Sequence, residues 1–286
     1  MKISVKEKET LFDFLVHRLG RTSSTKIRKL IKHGGITLNG EAITRPDHLL
    51  LPGQAIEIHR PAPPPPFPVL YEDRYLIAME KPPGLLSIST GEEGSNTFYR
   101  AVNQYVQTRS HRRERIFIVH RLDKEVSGVM LFAKTQEAKD ALQKNWTETE
   151  KRYCALVEGH PPQKEGTIRS WLKESAIHKV YSSPKGPDAK YAVTHYRLLQ
   201  EYPQHSLLEI RLETGRKNQI RAHLSEMGCP IVGDKRYGAA GDSIHRLALH
   251  AVALAFTHPV SGKRINLESP IPQIFLKFSS ASSHRS

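Results

Sequence analysis

The chain has 286 residues, and its 43 Lys and Arg against 29 Asp and Glu give a formal net charge of +14. Its 38% hydrophobic and 25% charged residues are typical of a globular protein, which excludes a disordered or collagen-like chain. No apolar run approaches the ~18 residues that span a bilayer, and the charged start at residues 1–8 excludes a signal peptide. We therefore expect a soluble cytoplasmic protein without membrane contact. Its positive charge favours a polyanionic partner.

Cysteine and histidine spacing gives no indication of a metal site. Cys154 and Cys229 are far apart and form no Cys-x-x-Cys pair. This excludes a zinc ribbon, a disulfide framework and a zinc-dependent nucleobase deaminase. His245, His250 and His258 lack the spacing of a helical metal pair. With no nucleotide-cofactor motif either, we expect neither metal nor cofactor.

A proline-rich run at residues 61–68 predicts a semi-rigid linker, because consecutive prolines fix φ and remove backbone donors. The linker would separate a small domain at 1–60 from a large domain at 69–278. Residues 279–286 are predicted to form a disordered tail.

The small domain is predicted to contain two helices and short strands. Leu11, Leu15 and Leu19 recur at helical spacing, and a second helix is predicted from Ser24 to His33, capped by Ser24 or Thr25. Asn39-Gly40 predicts a hairpin turn. The outer face of the second helix would carry four cations, Lys26, Arg28, Lys29 and Lys32. This pattern is typical of a module that docks on RNA.

The large domain alternates strand-like and helix-like segments. The predicted strands are 75–80, 116–119, 128–134, 152–158, 190–199, 206–213 and 247–256, and the predicted helices are 96–108 and 137–147. Several consecutive strands without helices between them favour a mixed, mainly antiparallel sheet. We therefore predict an α+β fold.

The densest cluster of reactive residues is at 120–128, between two predicted strands. Arg121 and Asp123 are two residues apart, so their side chains can project from one side of this loop. Neighbouring cations favour the ionised form of a carboxylate, which can then act as a nucleophile or base. A surface ion pair without a catalytic role remains the alternative.

A second cluster at 214–224 follows a strand and opens a helix. Asn218 is a candidate N-cap, and Arg216, Lys217 and Arg221 surround the start of the helix. Such a helix start is an anion site, either for a phosphate or for a carboxylate such as Asp123.

Two family resemblances follow from these residues. Residues 26–40, a basic helix followed by glycines, a short strand and Asn39-Gly40, resemble the ribosomal S4-type RNA-binding domain. Residues 120–128 resemble the catalytic motif of the RluA-type pseudouridine synthases. Further motifs of that family are resembled, in the same order, by residues 72–85, 151–159, 215–223, 230–238 and 246–251.

The second resemblance implies an RNA pseudouridine synthase of the corresponding fold, which detaches uracil from ribose, turns it and rejoins it through carbon five. Asp123 would be the catalytic aspartate, either as a nucleophile at the anomeric carbon or as a base that yields a glycal. Tyr153 would stack on the uracil and assist proton removal. Arg221, or less favourably Arg216, would pair with Asp123, and Arg121 would fill the space vacated by the base.

The resemblances also imply the partner. Contacts with RNA are expected from His120, Arg121 and Arg216 and from the four cations of the second helix. Large-subunit ribosomal RNA is the expected substrate, with transfer RNA as the alternative, and a monomer is expected. An RNA-binding ribosome-assembly factor with dispensable catalysis is the rival hypothesis, and a nuclease using His120 and His223 lacks supporting spacing. The chain departs from the common family pattern at Ser87-Ile88, Val126 and Asn218. Of these, Ser87-Ile88 is expected at the rim of the pocket.

Overall fold

The computed structural model describes residues 2–32, 34–58, 64–89, 96–110 and 114–277. The chain divides into two compact units, Met1–Pro64 and Pro65–Ser286. This boundary falls inside the proline-rich run at 61–68, whose first three residues lie outside the described part of the chain, as do His33 and the predicted tail.

The first unit is a small α/β structure. Its elements are β1 (Lys2–Ser4), β2 (Glu9–Thr10), α1 (Leu11–Arg18), α2 (Ser24–Lys32), β3 (Ile36–Leu38), β4 (Glu41–Ala42), β5 (Leu49–Leu50) and β6 (Ala55–Ile58). An antiparallel sheet has the strand order β1-β6-β3-β4, and β2 pairs with β5. Asn39 and Gly40 both have positive φ and form the predicted turn between β3 and β4.

Helix α2 separates apolar from basic side chains. Ile27 and Ile31 are buried in the core of the first unit, whereas its four cations, Lys26, Arg28, Lys29 and Lys32, are exposed. The predicted cap is displaced by one residue, because the helix already includes Ser24 and the carbonyl of Ser23 accepts from Lys26 and Ile27. The amphipathic pattern therefore predicted the outer face correctly.

The second unit is built around one large sheet. Its first elements are β7 (Val69–Glu72), β8 (Leu76–Lys81), α3 (Phe98–Arg109), β9 (Phe117–Ile118), β10 (Ser127–Ala133), α4 (Gln136–Lys144), a 3-10 turn (Trp146–Glu148) and β11 (Glu150–Glu158). They are followed by β12 (Glu165–Glu174), β13 (Val180–Ser183), β14 (Lys190–Glu201), β15 (His205–Leu212), α5 (Gln219–Glu226), a 3-10 turn (Lys235–Tyr237), β16 (Leu249–Thr257), β17 (Arg264–Glu268) and α6 (Gln273–Leu276).

The strand order of this sheet is β13-β12-β14-β15-β11-β16-β10-β8-β7, with β17 and β9 pairing on β16 and β10. Among these described strands, β10 and β16 form the parallel pair and the other pairings are antiparallel. The predicted α+β class with a mixed, mainly antiparallel sheet is confirmed. No helix in the described part of the chain has the length and apolarity to cross a membrane.

The pairing of β11 with β16 is irregular beside Tyr153. Arg152 lies opposite Ala253 and Tyr153 lies opposite Ala251, so Val252 is the extra residue of a β-bulge. A bulge bends its strand and re-aims the neighbouring side chains. Tyr153 lies in a central strand of the sheet, opposite Ala251 of β16, and the other neighbour of Ala251 is Gly128 at the start of β10.

Candidate active site

The loop that carries Asp123 connects β9 to β10 and is fixed from below by a buried lysine. The side chain of Lys81 is fully buried at the end of β8, and its Nζ donates to the carbonyls of Pro82 at 2.9 Å, Lys124 at 3.0 Å and Val126 at 2.8 Å. Burial lowers the pKa of Lys81 to about 8, against the opposing charges of Glu125 and Asp123. The ammonium therefore holds the chain on the C-terminal side of Asp123.

Ser87 fixes the residue on the other side of Asp123. Its buried hydroxyl donates to the carbonyl of Leu122 at 2.5 Å and accepts from the Leu122 N–H at 3.2 Å. Its own carbonyl accepts from the N–H of Tyr99 in the first turn of α3. Ser87 therefore lies beneath the Asp123 loop, and the prediction that it forms the pocket rim is wrong.

The end of the loop approaches β16 closely at Gly128. This residue has φ +117°, and a Cβ built on it would lie 2.2 Å from the carbonyl oxygen of Ala251. A side chain at this position is therefore excluded, because it would separate β10 from β16. Gly128 therefore allows the parallel pair to form at the end of the loop that carries Asp123.

Asp123 and Tyr153 line one cavity of about 350 Å³. The wall opposite them comes from the segment between β15 and α5. The charged and polar residues of the lining are Arg121, Asp123, Tyr153, Arg216, Lys217, Asn218, Gln219 and Arg221. The structure thus brings both predicted clusters together with Tyr153, in an open cleft rich in positive charge.

Arg221 faces this cleft but is bound to a different carboxylate. Its Nε and Nη2 donate to the two carboxylate oxygens of Asp234, each at 2.7 Å, and its Nη1 donates to Oδ1 of Asn218 at 3.0 Å. Asp234 is almost fully buried, so this bidentate pair is shielded from solvent. The predicted direct pairing of Arg221 with Asp123 is therefore wrong: Asp123 contributes a longer-range Coulombic attraction.

The start of α5 is organised by Gln219 rather than by Asn218. Asn218 has a left-handed backbone with φ +51°, and its side chain does not cap the helix. Instead, Oε1 of Gln219 accepts from the hydroxyl of Thr214 and the N–H of Arg216. Asn218 occupies the predicted N-cap position, but it makes no side-chain capping bond because its Oδ1 accepts from Arg221.

The phenol of Tyr153 retains its proton strongly. Burial raises the pKa of Tyr153 above its usual value, and the nearby charge of Asp123 adds to this increase. Within the described residues, its environment consists of burial and the charge of Asp123, without a hydrogen bond to its hydroxyl. A protonated ring beside the carboxylate is suited to stack on a base and to donate a hydrogen bond.

The side chains of the two residues before Leu122 point in different directions. Arg121 is exposed at the cavity. His120 turns inward, where its Nε2 accepts from the N–H of Leu131 at 3.0 Å and its ring stacks on Trp146 with 4.8 Å between ring centres. Burial, with a contribution from Lys151, lowers the pKa of His120 to about 4. His120 is therefore neutral at physiological pH and does not line the Asp123 cavity.

Two residues of this site, Lys81 and Asp234, had no predicted role, and the role predicted for Ser87 was a different one. Lys81 and Ser87 fix the Asp123 loop, and Asp234 binds Arg221. A signal exists for Lys81, because it is a charged residue that directly continues an apolar strand. The predicted cations of α2 belong to the first unit.

A mixed sheet with a carboxylate and an aromatic ring in a cationic cleft, in a chain that also has a basic helical module, fits an enzyme that modifies RNA bases. A family model described as RNA pseudouridylate synthase matches residues 75–226, and the S4 domain model matches residues 10–56. The chain belongs to the RNA pseudouridine synthase family, within its RluA type, and carries an N-terminal S4 domain. The predicted resemblances and the enzyme class are confirmed.

Similar proteins span nearly the whole chain. An uncharacterized RNA pseudouridine synthase of Bacillus subtilis, YjbO, is 33% identical over 89% of this chain and 93% of its own. The ribosomal large subunit pseudouridine synthase D of Zymomonas mobilis is 31% identical over 91% and 89%, and that of Xanthomonas campestris is 33% identical over 91% and 84%. The solved structure of human RNA Pseudouridylate Synthase Domain Containing 4 has the same fold, with a TM-score of 0.61 and 24% identity over 73% of this chain and 90% of its own.

Proposed function

We propose that this enzyme converts specific uridines of large-subunit ribosomal RNA into pseudouridine, with Asp123 as the catalytic carboxylate. The observation that carries the proposal is the placement of Asp123 and Tyr153 in one cleft lined by Arg121, Arg216 and Arg221. The choice of RNA is supported by two relatives whose names specify the large ribosomal subunit. The exposed cations of α2 supply a second surface for phosphate contacts.

The reaction is an isomerisation whose atoms balance. The bond between N1 of uracil and C1′ of ribose breaks, the base turns, and a bond between C5 and C1′ forms. The proton lost from C5 is balanced by the proton gained at N1. Because cleavage develops positive charge on the sugar, a carboxylate at the ribose stabilises the transition state. Asp123 would do so as a nucleophile at C1′ or as a base that removes a ribose proton.

The remaining groups would bind and orient the base. A uridine inside a helix must leave its stack, at a cost of a few kcal/mol, and the exposed Arg121 can occupy the vacated space. Tyr153 would stack on the uracil. Because its phenol keeps its proton, Tyr153 would assist removal of the C5 proton by holding the base in place rather than by accepting that proton itself. Arg221, held by Asp234, would supply a fixed positive charge rather than a direct bond to Asp123.

The test is complementation of a deletion strain with Asp123→Asn, using Glu125→Gln as the matched control on the exposed side of the same loop. Pseudouridines in ribosomal and transfer RNA would be located by carbodiimide labelling and primer extension. We expect the wild type and Glu125→Gln to restore a large-subunit site and Asp123→Asn to bind RNA without restoring it. Restoration of the pseudouridine by Asp123→Asn would refute the catalytic role of Asp123. A site restored in transfer RNA would refute ribosomal RNA as the substrate. Growth rescued by the inactive variant would favour a role in ribosome assembly.

A further inference from the structure

The Asp123 cavity adjoins a second cavity of about 230 Å³, here called the side cavity. Arg121, Tyr153, Leu212 and Gly215 line both cavities and therefore form the boundary between them. The far walls of the side cavity include His120, Trp146 and Lys151. No step proposed above uses this space.

Small side chains on the sheet create the side cavity. Ala251 and Ala253 of β16 line it together with Val129 of β10. Lys151 and Tyr153, two residues apart on β11, point to the same face. Two alanines at neighbouring positions leave a flat apolar floor, which suits a planar ring.

The polar side chains of the far walls supply hydrogen-bond donors. Since Nε2 of His120 accepts from Leu131, the proton of this neutral imidazole is on Nδ1. Nζ of Lys151 donates to the carbonyl of Trp146 at 3.1 Å and has two further protons. Within the described residues, no hydrogen bond is formed by Nδ1 of His120 or by Nε1 of Trp146, so each N–H can donate to a ligand.

We propose that the side cavity binds a second unstacked nucleobase, from the nucleotide next to the target uridine. This inference rests on the proposed function. An apolar floor with surrounding donors matches a planar ring whose edge carries carbonyl oxygens or ring nitrogens. A phosphate fits poorly, because the apolar floor would remove water from its charge. With Arg121 and Tyr153 between the two cavities, the target base and its neighbour would be held on opposite sides of this boundary.

The experiment uses a short RNA around the uridine identified by the mapping described above, and two copies with an abasic nucleotide directly 5′ or 3′ of the target. The full-length enzyme is compared with Ala253→Leu, which fills the side cavity, and with Ala255→Leu, the same change on the same strand at a position that lines neither cavity. Tritium release from carbon five gives kcat/KM, and melting temperatures verify folding.

We expect one abasic RNA to lower kcat/KM of the wild type about tenfold or more. Ala253→Leu should show the same loss with intact RNA and no additional loss with that abasic RNA, while Ala255→Leu should behave as the wild type. If Ala253→Leu does not fold, Trp146→Phe provides the second variant: removal of one donor should raise KM at unchanged kcat, and only with the intact RNA.

Any of three results would overturn the proposal. The first is that the wild type has equal rates on all three RNAs, and the second is that folded Ala253→Leu is fully active on intact RNA. The third is that the abasic effect persists undiminished in Ala253→Leu. The last would mean that the neighbouring base is bound outside the side cavity. A wild type that forms no pseudouridine in the intact RNA would refute the proposed function itself, which separates the two failures.

Discussion

The buried ammonium of Lys81 donates to the carbonyl of Val126 at 2.8 Å, and so ties β8 to the loop that presents Asp123. The same Nζ also binds the carbonyls of Pro82 and Lys124. A cation that is fully buried and satisfied only by backbone oxygens has a positioning role: it fixes the distance between two segments of main chain.

Replacement of Lys81 by Met should therefore impair both stability and catalysis. Three carbonyls, of which that of Val126 is buried, would lose their donor, and we expect the free energy of unfolding to fall by about 2–4 kcal/mol. At a temperature where the variant is folded, kcat should fall about tenfold or more with little change in KM, because Asp123 would be less precisely placed. Urea titration and single-turnover kinetics measure the two effects. Lys144→Met, at an exposed position of α4, is the control, and a Lys81→Met enzyme with wild-type kcat would contradict the positioning role.

The pKa of Lys81 predicts a pH dependence of stability. Burial lowers this pKa from 10.5 in the unfolded chain to about 8 in the fold, so between these values the unfolded state binds more protons. Stability contributed by Lys81 must then rise with pH across this window, by at most about 3 kcal/mol, and must be lost as pH falls towards 8. The difference in unfolding free energy between wild type and Lys81→Met, measured from pH 7.5 to 10.5, isolates this contribution. A difference that is constant or decreases with pH would show that the amine is not a destabilised cation.

Ser87 provides a second and smaller test of how the loop is held. Ser87→Ala removes the partner of both the N–H and the carbonyl of Leu122, the residue before Asp123. We expect a loss of about 1–3 kcal/mol in stability and a several-fold decrease in kcat. Ser183→Ala is the control, because that hydroxyl donates to the carbonyls of Trp171 at 3.4 Å and Pro184 at 3.1 Å and does not contact the Asp123 loop. Equal effects of the two substitutions, by denaturation and by tritium release, would remove the special role of Ser87.

The fold was predictable where strands carry a local apolar pattern. The predicted strand at 206–213 and the observed β15 (His205–Leu212) agree closely because alternating Leu and Ile residues face the core. Strand β12 (Glu165–Glu174) was missed because most of its residues are partly or fully exposed. It is held by pairing with β14, and no pattern within residues 165–174 specifies that long-range contact.

The site was predictable as two clusters but not as a network of partners. The motif around Asp123 indicated which residues meet, and the structure brings Asp123, Tyr153 and Arg221 to one cavity. The partner of Arg221 could not be read from the sequence, since Asp234 is thirteen residues away and several carboxylates were equally available. A choice among them depends on burial, which only the tertiary structure determines.

The buried pair of Arg221 and Asp234 predicts that a nearly isosteric substitution will strongly reduce stability. Asp234→Asn keeps the shape of the side chain but leaves the guanidinium of Arg221 without its buried counter-charge. Breaking such a pair costs about 3–5 kcal/mol, and released Arg221 should reorient towards Asp123 and lower kcat. Asp47→Asn, in the exposed pair with Arg45, is the matched control and should leave thermal stability unchanged. Calorimetry that shows equal melting temperatures for both variants would contradict the importance of burial here.

The exposed cations of α2 predict how RNA binding depends on salt. Triple replacement of Lys26, Lys29 and Lys32 by Gln keeps Arg28, whose guanidinium lies 4.4 Å from the ring centre of Phe12 and packs on it. Because each phosphate contact releases counterions, losing three contacts should reduce the slope of log K against log salt by about 2 for single-stranded RNA or somewhat more for a helix. Filter binding from 50 to 300 mM KCl measures the slope, and kcat on a short RNA should be unchanged because Asp123 is untouched. Gln at Lys2, Lys6 and Lys8 of the same unit serves as the charge-matched control. An identical loss of slope in both triple variants would mean that the unit acts through its total charge rather than through the face of α2.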